Sequence, residues 1–312
     1  MTQPRPFRFG VEEHGAVGAK AWRDKARQFE AIGYSTLFVP DHFGEQLSPI
    51  AALMSAADAT TTLRIGSLVF DNDYRHPVVL AKEAATLDLL SDGRLEFGLG
   101  AGWLTSDYEQ TGISLDPIGI RIERMAEGLE IIKRFFAGGT VSFEGKHYRV
   151  AGVDAFPLAV QKPHPPIVIG GGGRRMLSLA AREADIVSVN YKLTEGQINQ
   201  NLVSTGKAQA TDEKLEWIKD AAGDRFSQIE LCATVFVASL TEDRDGMAAR
   251  LASSLGLEPG DLLEMPHFLV GTIDQMVEDL RVRRERYGIS YVVLPDRAAE
   301  KLAPLVERLT GN

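Results

Sequence analysis

Short, largely apolar strand-like runs recur along this chain, and between nearly every pair of them lies a stretch with helical spacing. The runs are Phe7–Glu12, Thr36–Pro40, Leu63–Phe70, Leu95–Leu99, Ile167–Ile169, Ile186–Asn190, Ile229–Ala238 and Tyr291–Pro295. Apolar residues on both faces mark strands covered on both sides, as in parallel sheets wrapped by helices. Trp22, Ala26 and Phe29 recur at helical spacing before Gly33, a C-terminal stop. Pro49–Ala59 and Pro77–Leu90 read as further helices, and Arg121–Ala137 carries a stripe of Met125, Leu129, Ile132 and Phe136. A closing helix places Ala298, Leu302, Leu305 and Leu309 on one face. Eight such units predict the α/β class and a single (β/α)8 TIM barrel rather than a doubly wound sheet. The one GxG-type loop that might open a doubly wound fold lies mid-chain, after the fourth strand.

A length of 312 residues suits one such barrel, and no composition break marks a linker, so residues 1–312 read as one domain. Insertions are expected after strands four, six and seven. The first, 103–165, is irregular to residue 120 and includes a hairpin, Val141–Val150, turning at Glu144-Gly145-Lys146. Residues 191–228 hold two helices, one opening at Thr194 with Gln197 as its capping-box partner. Residues 243–286 read as helical in pieces, the last piece starting at Thr272 with Gln275 and stopping at Gly288.

A net charge of −9 argues against nucleic acid or an anionic membrane as the main partner. No apolar run approaches the ~18 residues of a membrane span, and the N-terminal MTQPRPFRFG lacks the apolar core of an export signal. Cys232 is the one cysteine, which excludes an internal disulfide and a cysteine-built zinc site. A cytoplasmic protein acting on a small molecule is the expectation.

In such a barrel the residues just past the strand ends line the active face. Pro166–Met176, PIVIGGGGRRM, offers a strand, four glycines and a helix start. Unpaired N–H groups at the positive end of a helix dipole suit an anion such as a phosphate. Gly170, Gly171, Gly172, Gly173, Arg174 and Arg175 are therefore candidates for anion binding. The other strand ends contribute Glu12, Glu13, His14, Asp41, His42, Asp71, Asn72, Tyr74, Asn190 and the run Gly100, Ala101, Gly102, Trp103. His42 is the natural proton carrier, since an imidazole titrates near neutral pH. Asp41-His42 read alone is also the pattern of a helix cap with a surface histidine, and Trp103 that of a pocket wall. His14, Asp41 and His42 might converge on a metal, but no paired histidine spacing supports one, and no metal is expected.

Pro40-Asp41-His42-Phe43, Gly66-Ser67 with Tyr74-Arg75-His76-Pro77, and Asp92-Gly93-Arg94-Leu95 through Gly98–Trp103 are similar to motifs of the bacterial luciferase-like superfamily. The hairpin Phe143–Tyr148, Ile167–Gly173 and Gly271-Thr272 extend the resemblance over nearly the whole chain. It implies a (β/α)8 barrel with an insertion after strand four, and a flavin or the deazaflavin coenzyme F420 in the barrel mouth. The ring would lie against Ser67 and Leu68, with a cis peptide not involving proline at Ser67-Leu68 or one residue either side. Gly171–Gly173 would take the phosphate, and Gly100–Trp103 would flank the ring. Sugar-phosphate dehydrogenases of the superfamily carry a glutamate where this chain has Trp103, which points instead to an apolar or aromatic substrate. His42, Asp41, Glu12 and Glu13 are then the catalytic candidates. The reading is hydride transfer with reduced F420, whose acidic tail would suit Arg174 and Arg175. The alternatives are an FMNH2-dependent monooxygenase using O2 and, in another class, a non-catalytic flavin-binding barrel. The resemblance further implies a homodimer or larger assembly.

Overall fold

The computed structural model describes residues 5–193, 196–197 and 199–312. Its strands are β1 (Arg8–Glu12), β2 (Thr36–Phe38), β3 (Arg64–Gly66), β4 (Phe70–Asp71), β5 (Leu95–Gly100), β6 (Thr140–Glu144), β7 (Arg149–Asp154), β8 (Ile167–Gly171), β9 (Ile186–Val189), β10 (Glu230–Thr234), β11 (Val237–Leu240), β12 (Phe268–Gly271) and β13 (Ile289–Pro295). Strands β1, β2, β3, β5, β8, β9, β10 and β13 pair in parallel in that order, and β13 returns to β1, closing an eight-stranded barrel. The expected TIM barrel is the observed one.

Helices α1 (Ala19–Ile32), α2 (Pro49–Ala59) and α3 (Pro77–Leu90) wrap the first strands, and α4 (Thr105–Thr111) and α5 (Ile118–Ala137) follow β5. Next come α6 (Arg174–Glu183), α7 (Gln200–Ser204), α8 (Ala208–Ala222), α9 (Arg244–Leu255), α10 (Pro259–Glu264) and α11 (Ile273–Tyr287), and α12 (Asp296–Ala299) and α13 (Ala303–Leu309) end the chain. The predicted stripes are the buried ones: Trp22, Ala26 and Phe29 on α1, and Met125, Leu129, Ile132 and Phe136 on α5. Thr272 and Gln275 form the expected capping box on α11, and Gly288 ends it in the left-handed conformation.

Three expectations change. Residues 105–111 are a helix rather than irregular chain; seven residues are too few to show a period. The run Ile229–Ala238 divides at Val235-Phe236 into β10, in the barrel, and β11, which leaves it to pair in parallel with β12. Strand β12 falls in a stretch expected to be helical, because a four-residue apolar run carries no period of its own. The opening of the helix placed at Thr194 lies outside the described residues; α7 is capped instead by Asn199, whose Oδ1 accepts from Leu202 N at 2.9 Å. Hairpin β6–β7 is present, with its antiparallel strands reaching Thr140 and Asp154.

The barrel is filled in layers. Its floor is ionic: Glu96 Oε1 accepts from Arg8 Nη1 at 2.5 Å and Arg64 Nε at 3.0 Å, and Glu96 Oε2 accepts from Tyr291 Oη at 3.0 Å. Arg8 also forks onto Glu230, at 2.8 and 2.6 Å. Above lie Phe38, Val168, Ile186, Cys232 and Val293, with Leu68 packed against them. Segments 191–193, 199–206 and 235–271 form a cap with its own apolar cluster, including Leu202, Ala252, Leu262 and Phe268.

The third barrel strand breaks between β3 and β4, and the Leu68–Val69 peptide is cis, one position beyond Ser67-Leu68 and within the expected range. Glycines in β5 make room for this segment. A Cβ on Gly98 would lie 2.0 Å from Ser67 O, and one on Gly100 would lie 2.4 Å from Val69 Cγ2. At Gly170 it would meet only Ser188 Cβ, at 3.8 Å. Gly98→Ala is expected to lower unfolding free energy by about 2–3 kcal/mol, the scale of an overpacked core. Gly170→Ala should stay within about 0.5 kcal/mol. Urea midpoints of the two variants compare them; equal losses would remove the close approach as the reason for glycine.

Candidate active site

The strand ends gather acids and histidines on the β1–β2–β5 side of the mouth and aromatic rings on the β9–β10 side. His42 follows β2 and turns toward α4, where its Nδ1 lies 2.6 Å from Asp107 Oδ2. Asp107 is buried and also accepts from Tyr74 Oη at 3.1 Å and from Phe43 N at 3.4 Å. A carboxylate with this donor set makes Nδ1 the protonated nitrogen and leaves Nε2 as the working one. The Trp103 ring meets His42 edge-on, with centroids 5.9 Å apart and planes at 88°.

The expected neighbour, Asp41, turns the other way. It takes Arg75 Nη1 at 2.5 Å and Asp71 N at 3.2 Å, and so anchors the loop after β4. Glu12 and Glu13 also part, because successive residues leaving a strand face opposite ways. Glu13 is buried against α1, with Lys25 Nζ at 2.6 Å on one oxygen and Gly15 N at 2.9 Å on the other. Its charge is spent on a structural pair, which corrects the expectation of a proton-transfer role. Glu12 ends β1 at the mouth; burial, with repulsion from Asp296, pushes its pKa up to about 7 against the pull of His14. The imagined metal set is dispersed, since Asp41 holds Arg75, His42 holds Asp107 and His14 lies 3.7 Å from Glu12. Among the described residues no cluster of three or more His, Cys, Asp or Glu side chains is arranged to hold a metal ion.

Gly100, Ala101 and Gly102 are fixed by the chain itself. The buried Arg121 donates to the carbonyls of both Ala101 and Gly102, and a Cβ on Gly102 would strike Tyr108 Oη and Asp71 Oδ2. Ser67 is fully buried, and its Oγ has no hydrogen-bond partner among the described residues. A buried orphan hydroxyl is costly unless something reaches it. Beside it Leu68 rises at the top of the barrel filling.

In the glycine loop two positions are explained by packing. A Cβ on Gly172 would lie 2.1 Å from Tyr191 O, and one on Gly171 would lie 2.5 Å from Met176 Cγ. At Gly170 and Gly173 a Cβ would make only ordinary contacts, with Ser188 and with Lys192. Gly173 precedes α6 with extended backbone, and among the described residues no side chain caps the first N–H groups of that helix. Arg174 is exposed, with no ion-pair partner among the described residues, whereas Arg175 donates to Glu123 Oε1 of α5 at 3.0 Å. Of the two arginines expected to suit an acidic tail, Arg175 is thus engaged by Glu123. Opposite the acids, Tyr191 stacks on Phe236 at 5.3 Å.

Sequence reasoning missed Asp107, Arg121 and Lys214. Asp107 stands in the first turn of a short helix, 65 positions from His42, and no local pattern joins them.

The whole chain matches the fold of solved oxidoreductases. It superposes on the F420-dependent tetrahydromethanopterin reductase of Methanopyrus kandleri with a TM-score of 0.79 and 20% identity, covering 97% of this chain and 99% of that one. For the monooxygenase RslO1 of Streptomyces bottropensis the values are 0.73 and 24%, over 97% of each chain. The model of the luciferase-like monooxygenase family matches residues 5–258. The chain belongs to that family. It is also 32% identical, over 174 residues, to the uncharacterized protein y4wF of Sinorhizobium fredii (strain NBRC 101917 / NGR234), a match spanning 52% of this chain and 50% of that relative.

Asp71 gives a pH test of the site. Burial raises its pKa to about 7, helped by Asp73 and Asp41 and opposed by hydrogen bonds from Asp73 N and Tyr108 Oη. A carboxyl whose folded pKa lies above its unfolded one holds its proton more tightly when folded. Its contribution therefore weakens as pH rises from about 4 to 7, and stays constant above. Asp71→Asn should gain about 1 kcal/mol or more relative to the parent between pH 5 and pH 8, read from urea midpoints. A pH-independent difference would mean that Asp71 is already ionised at pH 5.

Proposed function

We propose that the protein is an F420-dependent oxidoreductase acting on a small apolar or aromatic organic substrate. The observation that carries this reading is the buried Asp107 holding His42 Nδ1 at 2.6 Å at the mouth of a barrel of this family. The residues present fit the coenzyme: the orphan Ser67 Oγ and Leu68 would hold the ring, and Gly173 with the first N–H groups of α6 would hold the phosphate. When bound, the reduced coenzyme supplies a hydride. The chain supplies the rest. Trp103 narrows the mouth beside His42 and favours a flat or apolar substrate. His42 gives or takes the proton through Nε2, while Asp107 and Tyr74 keep the ring in one orientation and one tautomer. Glu12, titrating near neutrality at the end of the neighbouring strand β1, is the second proton carrier.

F420 is favoured over FMN by Arg174 beside the glycine loop, which has no ion-pair partner among the described residues and suits an acidic tail, and by the likeness to a reductase described as F420-dependent. An FMNH2-dependent monooxygenase using O2 is the second reading, favoured by the family's own description and by the likeness to RslO1. A non-catalytic barrel has no need of a buried carboxylate orienting an imidazole. We place the protein in the cytoplasm as a homodimer or larger, a reading supported by its one, buried cysteine and by the exposed apolar residues Leu90, Phe156, Leu158 and Val160. Among the described residues no helix is long and apolar enough to cross a membrane.

Titration of the purified apo-protein with F420 and with FMN, following the fluorescence of each, tests the reading. F420 should bind more tightly; tighter FMN would favour the monooxygenase, and binding of neither would sink both. Gly173→Asp should weaken either coenzyme at least ~10-fold, since it sets a carboxylate at the anion site while aspartate remains a good helix cap. Its thermal midpoint should stay level or rise.

With a turned-over substrate, His42→Asn and Asp107→Asn should each lower the rate ~100-fold, the usual scale for general acid–base work, with coenzyme affinity kept within a few fold. Full turnover with an unaltered pH profile would pass the role to Glu12.

A further inference from the structure

We infer that Lys214 is the buried cation behind the anion end of the mouth, fixing Asn190 and Tyr191 against the glycine loop and adding positive charge to the phosphate site. The inference rests on the coenzyme reading above and adds a residue that no strand end supplies.

Lys214 stands on α8 and is 2% exposed. Its Nζ donates to Asn190 O at 2.7 Å and to Thr205 O at 2.6 Å, and no carboxylate pairs with it among the described residues. Asn190 is held at three of its four polar groups. Its N–H donates to Gly171 O at 2.8 Å, its Oδ1 accepts from Tyr191 N at 2.7 Å, and its carbonyl takes Lys214. Only Nδ2 is left as a donor at the mouth. The same carbonyl would lie 2.5 Å from a Cβ on Gly172. One peptide group therefore separates the ammonium from the backbone of the glycine loop.

The surroundings make this charge unusual. Glu213, its neighbour on α8, attracts it without bonding to it. From β12's approach comes His267, fully buried, with Nδ1 on Thr234 O at 2.9 Å; burial drives its pKa down to about 3, so it is neutral. Arg283 of α11 lies beyond His267, and Asp279 of the same helix is paired with Arg244 at 2.9 Å. Tyr191, from the loop after β9, stays protonated because burial raises its pKa. Among the described residues no carboxylate bonds to Lys214, and burial lowers its pKa to about 8. An ammonium buried with two carbonyls and no counter-ion is poorly compensated. An anion seated across one peptide group from it completes the compensation and restores its proton. A lysine acting only as a clip between two loops would show no such linkage.

The test uses the full chain with FMN, F420 and inorganic phosphate as probes. A phosphate ester is fully ionised above its second pKa of about 6, so a change between pH 7 and pH 9 belongs to the protein. Lys214 is charged below its pKa, so affinity should be greatest near pH 7 and fall ~10-fold by pH 9. Calorimetry at pH 8 in buffers of different ionisation enthalpy should register uptake of part of a proton on binding. Lys214→Met should bind ~10-fold more weakly at pH 7, lose the slope and take up no proton; Lys214→Gln serves if the methionine variant is unfolded. A wild type with neither slope nor uptake overturns the inference without any variant, as do variants that keep both. If neither coenzyme binds at any pH the coenzyme reading fails. The difference in proton uptake between the wild type and its Lys214 variant with inorganic phosphate, which cancels the probe's own second ionisation, then decides for or against Lys214 separately.

Discussion

The carboxylate of Glu96 is the point on which the barrel closes. Arg8, Thr36, Arg64 and Tyr291 all reach it, and Arg8 carries the network on to Glu230, so one buried group ties together six of the eight strands. All six contributions lie near the starts of their strands, which in a parallel barrel is one end. Such a network adds little net stability over apolar packing, but removing one partner leaves a buried charge uncompensated and costs roughly 3–5 kcal/mol. Its effect is therefore register. Arg8 opposes Tyr291 across β1 and β13, and its guanidinium lies 3.5 Å from the centre of that ring, so a slip of either strand breaks an ion pair and a stacked contact together.

With the floor sealed by charge and the middle by Phe38, Val168 and Val293, only the opposite end is open to a ligand. There one-residue parity decides the chemistry. Glu12 faces the mouth and Glu13 a lysine of α1; Asp41 faces Arg75 and His42 faces Asp107. In each adjacent pair one member is structural and the other is available. The burial that raises Glu12 and Asp71 toward neutrality also makes their side of the mouth sensitive to whatever displaces water from it.

The sequence was most informative where a periodic pattern and a stop signal agreed. The eight strand runs, the helices with buried stripes, the hairpin after α5 and the Thr272–Gln275 box were all legible. That Glu12 and His42 follow the ends of neighbouring strands was legible too. Asp107 was not, because the short helix holding it shows no period and the pairing is a tertiary one. Lys214 was hidden for the opposite reason. In Glu213-Lys214-Leu215-Glu216 it looks like a solvated charge on an outer helix, and only the packing of α8 against the loop after β9 reveals it as buried. The break at Ser67–Val69 was invisible as a break, though the glycines at 98 and 100 that accommodate it stood in plain view.

The cap has its own apolar cluster, distinct from the one beneath the barrel helices. A separate cluster gives the cap its own share of apolar burial, apart from the barrel filling and the layer beneath the helices. The cap can loosen without loosening the barrel, because opening it exposes only its own cluster. Its substitutions are likewise insulated: residues that shape the wall above the mouth can drift while the floor and the proton-handling side stay fixed. A protein arranged this way can change what it admits on a much shorter evolutionary timescale than what it does.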